Sequence, residues 1–172
     1  VVPYTRGEEF NRKFDDIITE AVQLSEEGAK EIILLGQNVN AYKSYDHNKN
    51  PVNLSDLIRY ISHIDGIDRI RYTTSHPIDF SQDLIDEYRN PKLANNLHLP
   101  IQSGSDLILS KMKRKHTVVE YKSIIRKIRS IRPDIHLSSD FIVGYPGESD
   151  YEFQKTLDFI SELNFSDAYS FI

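Results

Sequence analysis

A chain of 172 residues, 39% of them hydrophobic and 27% charged, is long enough for one domain with a core of its own. It holds no cysteine, which excludes a disulfide framework, a thiolate nucleophile and an iron–sulfur cluster held by this sequence alone. No apolar run reaches the roughly 18–20 residues of a membrane span, the start lacks the pattern of a signal peptide, and a net charge of −5 argues against a surface that coats nucleic acid everywhere.

The first periodic segment places Phe14, Ile17, Ile18, Ala21 and Val22 on one helical face, with Gly28 as its stop. Ile32–Leu35 is an apolar run too short for a helix and ended by Gly36, so it reads as a buried strand. Tyr42–Pro51 is polar and reads as an exposed loop. Asn53 with Asp56 three residues on reads as the cap of a helix carrying Leu57, Ile58 and Ile61. Ile67–Thr74 alternates apolar and charged residues, as a strand does, and Pro77 ends it.

The same order then recurs. Ser81–Tyr88 reads as a helix, Leu97–Ile101 as a short strand and Ser105–Met112 as a helix. Thr117 and Glu120 have the spacing of a capping box opening a helix with Ile124, Ile125 and Ile128 inside. Ile135–Val143 reads as a strand, Ser149 and Glu152 as a second capping box before Phe153, Leu157 and Ile160, and Ala168–Ile172 as a last strand. Alternation of this kind builds a parallel sheet covered by helices, either a (β/α) barrel or an open doubly wound sheet. The chain is read as one incomplete domain over residues 1–172.

In parallel βα barrels the chemistry sits at the C-terminal ends of the strands. Here those ends carry Gly36-Gln37-Asn38, Thr74-Ser75-His76, Gln102-Ser103-Gly104-Ser105 and Gly144-Tyr145-Pro146-Gly147-Glu148, with Ser139 and Asp140 inside the fourth strand. Amides and hydroxyls suit a ligand with an amino-acid head and a ribose, and glycine allows close backbone approach. His76 is either an acid–base group or a turn residue whose ring caps a backbone amide. No H-E-x-x-H, G-x-x-x-x-G-K or G-x-S-x-G pattern is present.

The charge is segregated. Lys111–Arg132 holds nine basic residues against one acid, Glu120, a local +8 within a chain of −5. Such a stripe fits either an anionic partner such as RNA or a solvated helix face.

Five blocks carry a resemblance: Val1–Glu9, Leu34–Ala41, Thr73–Pro77, His98–Asp106 and Ser139–Glu148. On them the whole chain resembles the radical SAM core of bacterial tRNA methylthiotransferases of the MiaB type. The resemblance implies a partial (β/α)₆ TIM-like barrel whose first strand, cluster-binding CxxxCxxC loop, N-terminal methylthiotransferase domain and C-terminal TRAM domain lie outside this sequence. It implies S-adenosylmethionine and two [4Fe–4S] clusters as cofactors, no metal ligand in this segment and no activity of the segment alone. It further implies tRNA and a reducing electron donor as partners, a monomer, and a cytoplasmic location without membrane association. The implied reaction adds a methylthio group to C2 of N6-isopentenyladenosine beside the anticodon.

By the same resemblance, Gly36, Gln37 and Asn38 stand where the cofactor's amino group is held, and Gln102 and Ser103 where its ribose is held. Ile142, Val143 and Gly144 stand where its adenine packs, with Asp140 in place of the glycine that opens the wider family pattern. Where the family commonly shows Ser-Arg-Pro this chain has Asn11-Arg12-Lys13, so only Arg12 carries over. Lys113, Arg114, Lys115 and Arg126 are the candidate RNA contacts. Two other readings stay open: a related methylthiotransferase for another tRNA adenosine or a ribosomal protein, and a non-catalytic RNA-binding module.

Overall fold

The computed structural model describes residues 10–73 and 75–172; the block Val1–Glu9 and Thr74 of the second strand end lie outside the described residues. The chain runs through α1 (Phe14–Glu26), β1 (Glu31–Leu34), β2 (Lys43–Tyr45), β3 (Pro51–Asn53), α2 (Leu54–Ser62) and β4 (Arg69–Tyr72). It continues through α3 (Gln82–Asp86), β5 (Asn96–His98), α4 (Asp106–Lys111), α5 (Val118–Ile131), β6 (His136–Ile142), α6 (Asp150–Leu163) and β7 (Asp167–Phe171).

β1 pairs in parallel with β4, and β6 lies parallel between β5 and β7. The two groups join where Ile70 N–H donates to the Lys92 carbonyl (2.7 Å) and Ala94 N–H donates back to Ile70 (2.8 Å). The spatial order β1-β4-β5-β6-β7 with intervening helices is the repeated βα arrangement that the alternation implied.

Strand alternation sorts the side chains. Ile32, Ile70, Tyr72, Leu97, Leu99, Leu137 and Phe141 are buried and form the core beneath the helices. The residues between them, Ile33, Arg71, His98, Ser138 and Asp140, are half-buried or exposed on the opposite face. Parallel strands are usually apolar on both faces. Here one face is polar and solvated.

Local chemistry explains the element ends. Asn53 and Asp56, and Thr117 and Glu120, form reciprocal capping boxes that satisfy the orphan amides of α2 and α5. Ser149 caps α6 only one way: its hydroxyl accepts from Glu152 N–H, whereas the Glu152 carboxylate turns to the Ser105 hydroxyl and to Lys155 Nζ. Asn164 ends α6 in the left-handed region at φ 46°, a conformation asparagine tolerates, and Arg129 donates to the freed carbonyls of Leu163 and Asn164.

One expectation is corrected. Tyr42–Pro51 is not a plain loop but contains most of the antiparallel hairpin β2–β3. The Asp46 carboxylate organises its turn, accepting from the amides of Asn48 (2.9 Å) and Asn50 (2.8 Å), with Lys49 at φ 64°. The hairpin is anchored because Ser44 Oγ accepts from Phe14 N–H, serving one orphan donor at the start of α1.

Candidate functional site

The C-terminal edge of the parallel sheet carries Gly36-Gln37-Asn38 after β1, the His76 turn after β4, Gln102-Ser103-Gly104 after β5 and Gly144–Glu148 after β6. Gln102 is tied to β6 by two backbone bonds: its N–H donates to Asp140 and its carbonyl accepts from Ile142 N–H, both at 2.9 Å. It is buried and holds φ 82°, a region L-residues seldom adopt. The Ser103 hydroxyl faces the core, 3.3 Å from Thr156 Oγ1 and accepting from Ser105 N–H. It is committed to the α6 contact, which leaves Gln102 as the polar side chain available at this strand end.

A hollow of about 310 Å³ lies beside Asn38, lined by His76, Asp79 and the segment Met112–Lys115. Asn38 Nδ2 donates to Asp79 Oδ2 (2.7 Å), which fixes the amide so that Oδ1 is the free acceptor. That Oδ1 is buried and has no hydrogen-bond partner among the described residues. His76 does cap a backbone amide: Nδ1 accepts from Ile78 N–H at 3.2 Å. Arg114 Nη1 stands 3.4 Å from His76 Nε2, and the His116 ring meets His76 edge-on at 5.5 Å. Burial holds both histidines below their ordinary pKa, helped at His76 by the Arg114 charge and at His116 by His76.

The turn after β6 docks on the same loop. Lys111 Nζ donates to the Gly147 carbonyl (3.0 Å), and Tyr145 OH donates to the Lys111 carbonyl (3.1 Å). Gly144 N–H donates to Glu148, and a Cβ built on Gly144 would meet nothing within 4 Å, so one side of that turn is open. Ile142 and Val143 are half-buried beside it.

Asp140 belongs to a polar group on the solvated sheet face. His98 Nδ1 lies 2.9 Å from Ser138 Oγ, and His98 Nε2 lies 3.5 Å from Asp140 Oδ2, with the Tyr169 ring beside the imidazole. His98 and Ser138 were not singled out from sequence. The period-2 rule places them with Asp140 only once the parallel register of β5 and β6 is known.

The basic stretch divides. Arg132 donates to the carbonyls of Tyr88, Asn90 and Leu93, Arg129 caps α6, and Lys122 pairs with Glu162 at 2.5 Å. Lys113, Arg114 and Lys115 instead rim the hollow, whereas Arg126 sits exposed on α5 and does not line it. Arg12 pairs with Glu20 at 2.5 Å. A second hollow of about 470 Å³, around Arg69, Lys92 and Arg132, lies at the opposite, N-terminal edge of the strands. Among the described residues no cluster of His, Asp and Glu could hold a metal ion, and no helix is long and apolar enough to cross a membrane.

Solved structures share this architecture. The coproporphyrinogen III oxidase of Escherichia coli, described as a radical SAM enzyme, superposes with a TM-score of 0.65 at 17% identity, over 92% of this chain and 36% of that one. A cobalamin-dependent S-adenosylmethionine radical enzyme superposes at 0.62 and 12% identity, over 86% and 22%. In sequence, the chain is 58% identical over its whole length to the tRNA-2-methylthio-N(6)-dimethylallyladenosine synthase of Shewanella loihica. It is 59% identical to the synthase of the same name from Francisella tularensis subsp. novicida. The chain spans 36% and 39% of those two relatives. Residues 2–160, more than nine-tenths of the chain, match the family model of the radical SAM superfamily, so the chain belongs to that superfamily.

Proposed function

We propose that this chain is the radical SAM core of an enzyme that adds a methylthio group to C2 of N6-dimethylallyladenosine in tRNA. The observation that carries the reading is the identity of 58–59% over all of the chain to relatives bearing that synthase name. The absence of cysteine accords with cluster ligands outside this sequence.

The residues fit S-adenosylmethionine in two respects. Asn38 Oδ1 is a buried acceptor in want of a donor, which an α-ammonium supplies. The open side of Gly144, next to Ile142 and Val143, admits a flat ring, with Asp140 one turn of the pleat behind. In this reading Gly36, Gln37 and Asn38 hold the amino group and Gln102, beside Ser103, meets the ribose. The bound cofactor and its cluster supply one-electron chemistry. The chain's own residues bind and orient the cofactor and limit the access of water. The electron donor and the state of association belong to the same proposal: an external reductant and a monomer.

The test is reconstitution of the full-length protein with iron and sulfide, followed by incubation with S-adenosylmethionine, a low-potential reductant, sulfide and tRNA bearing N6-dimethylallyladenosine. Digestion and mass spectrometry should show the 2-methylthio nucleoside. Unchanged dimethylallyladenosine with a fully loaded protein would refute the reading, and a methylthio group on another nucleoside or on a ribosomal protein would transfer it to a sister activity.

A further inference from the structure

The solvated face of the sheet carries a histidine to which the binding of the cofactor has so far given no part. In the parallel register of β5 and β6, His98 stands across from Ser138, and Asp140 follows two residues on along β6, on the same face. Tyr169 of β7 stands across from Asp140. The imidazole is met on three sides. Nδ1 lies 2.9 Å from Ser138 Oγ, Nε2 lies 3.5 Å from Asp140 Oδ2, and the Tyr169 ring approaches edge-on with its centroid at 6.3 Å. A carboxylate only accepts, so in the neutral ring the hydrogen sits on Nε2, facing Asp140, and Nδ1 accepts from the Ser138 hydroxyl. The other tautomer would set a nitrogen lone pair against the carboxylate.

Asp140 is thereby half committed. Its Oδ2 faces His98, whereas Oδ1 has no hydrogen-bond partner among the described residues, and 26% of the side chain stays open to solvent. Its backbone carbonyl accepts from Gln102 N–H at 2.9 Å, so the carboxylate and the Gln102 amide belong to strands bonded to each other at this point. We propose that His98 is a positioning residue for S-adenosylmethionine: steadied by Ser138, its Nε2–H fixes Asp140 so that the free carboxylate oxygen meets one ribose hydroxyl while Gln102 meets the other. This rests on the proposed binding of S-adenosylmethionine. A ribose offers two adjacent hydroxyl donors, and a carboxylate oxygen is the strong, charge-assisted acceptor for one of them. Left alone, a partly solvated carboxylate turns about its side-chain bonds. A hydrogen bond from a ring that is itself held removes that freedom before the ligand arrives. His98 touches no cofactor atom in this arrangement, and its effect passes through Asp140.

The test uses reconstituted full-length protein without reductant, in equilibrium dialysis against S-adenosylmethionine and its 2′-deoxy and 3′-deoxy adenosyl analogues. In the unmodified protein, loss of the hydroxyl that meets Asp140 should weaken binding about tenfold, and Asp140→Ala should erase that penalty. His98→Phe keeps a ring beside Tyr169 and removes both nitrogens. It should weaken S-adenosylmethionine about fivefold and cut the penalty of the same analogue to about twofold, leaving the penalty of the other analogue unchanged. His98→Gln, which returns an amide N–H to the Nε2 side, should recover most of both. Ser138→Ala, which removes a single hydroxyl, should shift both quantities in the direction of His98→Phe.

Equal weakening of all three ligands by His98→Phe overturns the proposal and makes His98 a support of the sheet alone. Unchanged binding overturns it too, since Asp140 then needs no partner. If Asp140→Ala keeps both penalties, the carboxylate does not meet the ribose, and the proposal falls with the binding of S-adenosylmethionine intact. Failure of the unmodified protein to bind S-adenosylmethionine removes that binding and the proposal with it. Should His98→Phe not fold, Ser138→Ala decides: penalties equal to those of the unmodified protein overturn the proposal.

Discussion

Replacing Gly104 with alanine tests how the β5 edge is held against α6. A Cβ there would lie 2.7 Å from the Lys155 carbonyl oxygen, 2.7 Å from Thr156 Cα and 2.8 Å from Phe159 Cβ. Two of those atoms are helix backbone and cannot rotate away. Gly104 does not hold a positive φ, so alanine meets no backbone strain and the effect is purely steric. Overpacking of a tight contact costs about 1–3 kcal/mol, and rigid neighbours place this site near 3. Alanine returns about 0.4–1 kcal/mol by restricting the unfolded chain. The net loss is then about 2–2.5 kcal/mol, a fall in melting temperature of about 4–10 °C for a domain of this size. Thermal and urea unfolding followed by far-UV circular dichroism reads it directly. Gly144→Ala is the counterpart: nothing lies within 4 Å of its Cβ, but φ is 73°, so strain of about 1 kcal/mol is the whole effect. If Gly104→Ala proves no more harmful than Gly144→Ala, the close approach of α6 does not govern this edge.

Arg132→Ala removes donors from three carbonyls at once and should cost about 3 kcal/mol in urea unfolding, with Arg132→Lys recovering only part. His76 and His116 are held below the ordinary value of 6.5, so the unfolded chain binds more protons between that value and the folded ones. Stability is full above pH 6.5 and should decline as pH falls below it, a slope that His116→Phe reduces in a pH series of urea midpoints. Glu152 is held below 4.5, chiefly by the Ser105 hydroxyl, so its contribution is present above that pH and lost on further acidification. Ser105→Ala should move the Glu152 titration upward in carboxylate NMR. Asn38→Leu fills the acceptor position with methyl groups and should weaken S-adenosylmethionine about tenfold or more in equilibrium dialysis of the reconstituted protein, the loss of one hydrogen bond to a charged donor.

The alternation of elements was legible because Ile32–Leu35 is an apolar run ended by Gly36, because Ile67–Thr74 alternates apolar and charged residues, and because Asn53 and Thr117 announce their helices. The hairpin escaped notice because its strands are three residues each and its turn is built by one side chain, Asp46, rather than by glycine. The second capping box was half right: Ser149 behaves as the pattern says, but Glu152 finds a partner 47 positions away in Ser105, which spacing cannot reveal. The basic stripe is likewise divided by contacts that spacing does not show. Composition counts Arg129 and Arg132 with Arg114, whereas the fold gives the first two to carbonyls and only the third to the hollow.

Gln102 shows why the strand ends, rather than their residue types alone, define the site. A left-handed conformation at a non-glycine residue costs on the order of 1–2 kcal/mol and persists where the surroundings over-determine it. Here two backbone bonds hold it to β6, while Ser103 and Gly104 are both tied to Thr156 of α6. The strain therefore resides in one residue whose neighbours on both sides cannot relax. Glycine at 102 would adopt the same φ without strain, yet it would remove the one amide that the end of β5 offers after Ser103 is turned inward. A strained glutamine in a position glycine fills more cheaply is what a requirement for its side chain looks like, and Gln102→Gly should separate the two: greater stability with weaker cofactor binding.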